Sequence, residues 1–216
     1  MKQLSEDTLQ ELARSVENLE SANVETVTTK ALDEGLKPDQ ILEDGLVKGL
    51  KEIGRKFETR EVFLVEMMMA ADAFKAGLGI LEPYLSERRG KTTSVFVLGT
   101  VAGDIHNLGK DLVSAMLTAS GFDVRDLGVD VPVYKFVEAA KNMKPRIIGA
   151  SALMTTTVVE QKKIVDALAS ANLRQSVKFM VGGAAVSERW AKEIGADGWA
   201  TGLQDAIKRS IQCAHV

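Results

Sequence analysis

The sequence predicts two parts: an N-terminal four-helix bundle, then a C-terminal α/β Rossmann-like (flavodoxin-like) domain on a five-stranded parallel sheet. Three observations predict this. Residues 4–85 carry apolar positions at helical spacing, with no strand-like run among them. From Thr92 onward short apolar runs alternate with helical patterns, which implies a parallel sheet covered on both faces. Between them Ser86-Glu87-Arg88-Arg89-Gly90-Lys91 is charged and contains a glycine, and reads as a linker. The boundary is set between 88 and 89, giving a helical unit 1–88 and an α/β unit 89–216.

The bundle is justified helix by helix. Leu9, Leu12, Val16 and Leu19 form a first amphipathic face, and Val24, Val27, Ala31 and Leu32 a second that ends near Gly35. Pro38 suits the first position of a third helix, whose stripe is Ile41, Leu42, Leu46, Leu50 and Ile53. A fourth runs from Phe63 to Leu85, with Pro83 near its end. Short joins between antiparallel helices suit a small bundle.

In the second half strands are expected at 94–99, 124–127, 146–151, 178–182 and 198–201. Helices are expected at 108–120, 133–143, 157–171, 187–194 and 203–213. Five strands so interleaved suggest the order 2-1-3-4-5.

Composition narrows the function. A net charge of −3 gives no global basic field for nucleic acid or an anionic membrane. No apolar run approaches a membrane span, and the opening Met-Lys-Gln-Leu-Ser-Glu-Asp lacks a signal-peptide core. Cys213 is the single cysteine, so no intrachain disulfide forms and an all-cysteine zinc site is excluded. Together these point to the cytoplasm. Gly99-Thr100-Val101-Ala102-Gly103 lacks the Gly-Lys-Ser/Thr ending of a phosphate loop, which argues against nucleotide hydrolysis. The first strand offers no acidic cluster of the receiver type.

The chemistry concentrates in Gly103-Asp104-Ile105-His106-Asn107-Leu108-Gly109, between the first strand and its helix. Open α/β sheets bind ligands at that end. A carboxylate two residues before a histidine can hold one ring nitrogen and leave the other free for a metal. The flanking glycines let the backbone approach a bulky ligand. Ser151, Thr155, Thr156 and Thr157 follow the third strand, where Thr156 or Thr157 would serve as a helix N-cap. Gly182-Gly183-Ala184 ends the fourth strand, and Ala200 to Gly202 lies at the end of the fifth. His215, next to the last residue, reads as a frayed terminus.

The pattern Asp104-x-His106-x-x-Gly109 resembles the signature of cobalamin-binding proteins. Ser151-Ala152-Leu153, forty-five residues after His106, resembles the second motif of that family, and Gly182-Gly183 the third. The chain is similar, over nearly its whole length, to the cap and cobalamin domains of cobalamin-dependent methionine synthase and to the small corrinoid proteins of methyltransferase systems.

The resemblance implies a bound cobalamin (methylcobalamin or another corrinoid) with its own base displaced and His106 on cobalt. Gly103, Asp104, Ile105, His106, Asn107 and Gly109 would form the binding loop. Thr157 matches a serine that hydrogen-bonds the aspartate, giving a relay His106–Asp104–Thr157. Ser151, Leu153 and Thr155 would meet the nucleotide tail, with Gly182, Gly183 and Ala200 bordering its slot. Phe57, Leu64 and Met67 fall on positions that cap the upper corrin face, and Glu43 matches a carboxylate near the same face. The chain departs from the family at Val65, where proline is frequent.

The implied function is that of a corrinoid methyl carrier. It would accept a methyl group on cob(I)alamin from a substrate-specific methyltransferase and yield it to an acceptor methyltransferase serving tetrahydrofolate or coenzyme M. A corrinoid reductive activator would be a third partner, and residues 4–85 are expected to move as a unit about 86–92. Two other classes use such domains. A cobalamin-dependent regulator or light sensor needs a DNA-binding element, for which this sequence offers no basic recognition helix. The cobalamin subunit of a carbon-skeleton mutase generally lacks a helical cap.

Overall fold

A computed structural model describes residues 2–85, 94–200 and 202–214. The chain divides into two compact units, Met1–Thr92 and Thr93–Val216. The linker expected at 86–91, the terminal His215 and Thr201 lie outside the described residues.

The first unit contains α1 (Lys2–Glu17), α2 (Ser21–Asp33), α3 (Pro38–Gln40), a π-helical stretch Ile41–Val47, α4 (Lys48–Glu58) and α5 (Leu64–Leu81), which ends in a 3-10 turn Glu82–Tyr84. Pro38 occupies the first turn of α3, as its missing N–H allows. The third expected helix is therefore one run whose second segment is underwound. That segment buries Ile41, Leu42, Gly45, Leu46 and Val47. Glycines let α1 pack closely against this run. A Cβ on Gly49 would lie 2.4 Å from the Ala13 carbonyl oxygen, and one on Gly45 2.6 Å from the Leu12 side chain. The core joins Leu12, Val16, Val24, Ile41, Leu46, Leu50, Met67, Phe74 and Leu81, all fully buried. α5 begins one residue later than expected, because the Glu66 carboxylate accepts from the Phe63 N–H at 2.7 Å and fixes the helix start there.

The second unit is a five-stranded parallel sheet of order β2-β1-β3-β4-β5, with β1 (Val95–Thr100), β2 (Asp123–Asp126), β3 (Ile147–Ser151), β4 (Lys178–Gly182) and β5 (Gly198–Ala200). Its helices are α6 (Leu108–Ala119), α7 (Val133–Met143), α8 (Val159–Ser170), α9 (Glu188–Ile194) and α10 (Leu203–Ala214). Strand alternation divides the core. Val97, Ile148, Ala150, Phe179 and Val181 face Phe136 of α7 and Ile164 and Leu168 of α8. Phe96, Leu98, Ile147 and Met180 face Leu117 of α6 and Phe122, with Cys213 at the margin. Both faces are covered, which is why β1 reads as an unbroken apolar run.

The register pairs Thr100 with Ser151 and Ser151 with Gly182. The carboxyl ends of β1, β3 and β4 are therefore level. Strand order reverses between β1 and β3, and there the sheet opens a crevice.

Candidate functional site

The loop joining β1 to α6 leaves the sheet at that crevice. Gly103 takes φ +77°, a left-handed turn that favours glycine. Asp104 follows and is completely buried, whereas Ile105 and Leu108 are exposed. The loop thus pushes one carboxylate inward and presents apolar side chains outward.

Asp104 is surrounded by donors. The His106 ring Nδ1–H donates to Oδ1 at 2.7 Å, and the His106 backbone N–H to the same oxygen at 3.0 Å. Oδ2 accepts from the Leu153 N–H at 2.8 Å and from the Thr157 hydroxyl at 2.8 Å. Burial pushes this carboxyl upward, but the amides of His106 and Leu153, the ring and the hydroxyl outweigh it and hold the group well below the usual carboxylate range. Asp104 is therefore an anion at neutral pH. An anion accepting from Nδ1 fixes the tautomer and leaves the Nε2 lone pair available. The histidine side chain is 48% exposed, so Nε2 is accessible to a ligand.

Thr157 was expected to cap α8 or to bind Asp104. The structure chooses the carboxylate. The hydroxyl has one proton and two acceptors in reach, Asp104 Oδ2 at 2.8 Å and the Met154 carbonyl at 3.1 Å, and the anion is nearer and stronger. α8 starts only at Val159, after a turn, and has no side-chain cap. That corrects both the expected start at 157 and the N-cap reading of Thr156 or Thr157.

The remaining expected residues of this unit fall on the same end of the sheet. Ser151 ends β3 half-buried, while Leu153 and Thr155 are exposed in the following loop. Gly182 ends β4, and a Cβ there would meet no atom within 4 Å. Gly183 differs: at φ +113° its Cβ would lie 2.0 Å from the Ala152 carbonyl oxygen. The β3 and β4 loops thus touch at Gly183 and leave open space beside Gly182. Ala200 ends β5 half-buried, and Asn107 and Gly109 are exposed at the start of α6. An accessible imidazole nitrogen, exposed apolar side chains and open space at a strand end would suit a large, partly apolar ligand that carries a metal.

The four expected capping residues belong to the first unit. Leu64 is exposed at the start of α5, Phe57 half-buried on α4, and Glu43 exposed in the π-helical stretch. Met67 is wholly buried, so it acts there as core. Phe63, Val65 and Met69 are the exposed apolar residues beside Leu64.

Sequence reasoning passed over four residues that shape the site. Thr100 is buried and its hydroxyl donates to the His106 carbonyl at 3.0 Å. Buried Lys110 pairs with Asp111 at 2.7 Å and with Asp126. Gln161, also buried, donates to the Ala150 carbonyl at 2.9 Å and accepts from the Trp190 indole at 2.9 Å, joining β3 to α9. Asp130 contacts the loop from the turn after β2. An apolar strand end holding a threonine, or a lysine after Gly109, was visible, but neither pattern names a partner.

Comparison with known proteins bears on the same residues. The model of a B12 binding domain matches residues 94–208, and a second model of a B12 binding domain matches residues 8–82. A corrinoid protein of Desulfitobacterium hafniense is 43% identical over 203 residues, covering 93% of this chain and 94% of that protein. The dimethylamine corrinoid protein of Methanosarcina barkeri is 44% identical over 206 residues, covering 95% and 96%. Among solved structures, the methanol:cobalamin methyltransferase complex of Methanosarcina barkeri matches with a TM-score of 0.80 at 29% identity, over 97% of this chain and 80% of that one.

Proposed function

The chain belongs to the B12-binding corrinoid proteins, and from that premise we propose that it is a methyl carrier between two methyltransferases, with His106 as its lower cobalt ligand. The observation that carries this is the His106–Asp104 pair: a buried anion holds Nδ1 and turns an accessible Nε2 outward. The corrinoid, when bound, supplies a cobalt that can take up a methyl group and release it.

The chain's own residues do the rest. Asp104 makes His106 a stronger donor by polarising the ring through Nδ1. Held at Nδ1 by Asp104, the His106 ring would offer Nε2 to the metal and would keep its orientation when it is not ligating. Thr157 and the Leu153 amide keep Asp104 ionised throughout. Ile105, Leu108 and Leu153 offer apolar surface to the ring. The space beside Gly182 takes the nucleotide tail, with Ser151 and Thr155 as its hydrogen-bonding partners.

The Methanosarcina relative is named for dimethylamine, and the structural neighbour for methanol. The donor enzyme proposed here is accordingly a substrate-specific methyltransferase for a small methylated compound. The acceptor enzyme carries the methyl to tetrahydrofolate or coenzyme M, and a reductive activator restores cobalt that has been oxidised.

The test uses protein reconstituted with cobalamin. The wild type should pass a labelled methyl group from a donor methyltransferase to an acceptor enzyme. His106→Gly should still bind the cofactor but lose the visible absorption of a histidine-ligated cobalt. Identical spectra for the two proteins would remove His106 from cobalt.

A further inference from the structure

The loop that carries His106 has anchors from three sources. Most come from its own strand, loop and helix. The Asp104 N–H donates to Val101 O at 3.1 Å, and Thr100 holds the His106 carbonyl at 3.0 Å. From β3 and its loop, Leu153 and Thr157 hold the Asp104 carboxylate. On the side toward β2 the Gly103–Asp104 segment is held by Asp130. Asp130 Oδ1 accepts from the Gly103 N–H at 2.7 Å, and the Asp130 N–H donates to the Asp104 carbonyl at 2.9 Å.

These two bonds bracket the peptide that enters Asp104. Both Asp130 and Gly103 have positive φ, +51° and +77°, so two left-handed turns meet face to face. The turn bearing Asp130 is itself fixed. Val131 bridges to Val101, the Val131 N–H donates to Thr100 O at 2.9 Å, and Thr100 N donates to Gly128 O at 3.0 Å. A rigid platform from the β2–α7 connection therefore reaches across to the ligand loop. Because His106 is exposed, its position depends on the Asp104 carboxylate that holds its ring, on Thr100, and on the backbone that carries Asp104.

We propose that Asp130 is a positioning residue for cobalt ligation. It clamps the Gly103–Asp104 backbone so that the His106 ring is presented at one height above the sheet end before any cofactor arrives. The proposal rests on the His106 reading given above. It adds a residue outside the Asp-x-His-x-x-Gly pattern, acting through Asp104 and touching neither the ring nor the metal.

Two variants separate the acceptor from the backbone. Asp130→Asn keeps an oxygen for Gly103 and tolerates the left-handed conformation. Asp130→Gly accepts that conformation freely and removes the oxygen. In the cofactor-free protein, Asp130→Gly should speed hydrogen exchange of the Gly103 amide by about tenfold, the loss expected of one charge-assisted hydrogen bond. In protein loaded with cob(II)alamin, electron paramagnetic resonance reads nitrogen splitting from a histidine ligand. That signal should weaken in Asp130→Gly in favour of a form without the lower nitrogen, and Asp130→Asn should restore it.

The outcomes are distinct. Nitrogen splitting in wild type that is unchanged in Asp130→Gly overturns the clamp and leaves His106 as the ligand. No splitting in wild type, with its spectrum shared by His106→Gly, overturns the ligand assignment and the clamp with it. Weakened splitting in both variants would mean that the carboxylate charge, and not the clamp, is what matters, which also overturns the proposal.

Discussion

Asp104 is a buried charge, and its surroundings explain how it survives. Four donors compensate the lost hydration, so the folded carboxyl lies well below its unfolded value of about 3.9. A lowered folded value means that its stabilisation is complete above the unfolded pKa. It is lost only as pH falls through the folded one. Asp104→Asn should therefore be less stable than wild type at neutral pH by a gap that closes in strong acid, as read by urea unfolding. A gap that persisted undiminished in strong acid would contradict the bonding described. Thr157→Val removes one donor to a buried anion and should cost about 1.5–3 kcal/mol in the same measurement. The candidate ligand pair was legible in the sequence because its members lie two residues apart. Its supports were less so, since Leu153 and Thr157 bond Asp104 from 49 and 53 residues away.

At the scale of elements, the glycines at the end of β4 show how one motif serves two purposes. Gly183 is required by geometry, because its Cβ would overlap the Ala152 carbonyl at 2.0 Å in a backbone conformation foreign to L residues. Gly183→Ala should lower stability by about 2 kcal/mol or more, with the melting temperature as readout. Gly182 faces open space, so Gly182→Leu should fold nearly as well as wild type yet bind cobalamin more weakly, followed by absorbance titration. Equal affinities would place the nucleotide tail elsewhere. The sequence showed the Gly-Gly pair but not this division, because the obstacle at 183 comes from another strand's loop. The π-helical stretch Ile41–Val47 was similarly hidden. Its apolar residues also satisfy α-helical spacing, and only close packing against Leu12 and Ala13 through Gly45 and Gly49 accompanies the wider turn. The three methionines read alike in sequence, yet packing buries Met67 and exposes Met69.

Among the described residues one histidine-bearing loop stands at the carboxyl end of the sheet, which predicts one cobalt per chain, measurable by metal analysis of reconstituted protein. A ligand that binds only the folded state must also stabilise it. At free cobalamin about 100 times its dissociation constant the gain should be about 2.7 kcal/mol, seen as a raised melting temperature. An unshifted melt under saturating cofactor would mean that the cofactor binds unfolded chains equally well or does not bind. Among the described residues no helix is long and apolar enough to cross a membrane. The sequence by itself determined the two-part architecture, the strand order and the three motif loops, because local periodicity and turn residues encode elements and their succession. Only the tertiary structure decided that the Leu153 amide reaches Asp104, which glycine is obligatory and which methionine is core. Those outcomes depend on atoms that the fold brings within about 3 Å from segments far apart in the chain, where no spacing rule operates.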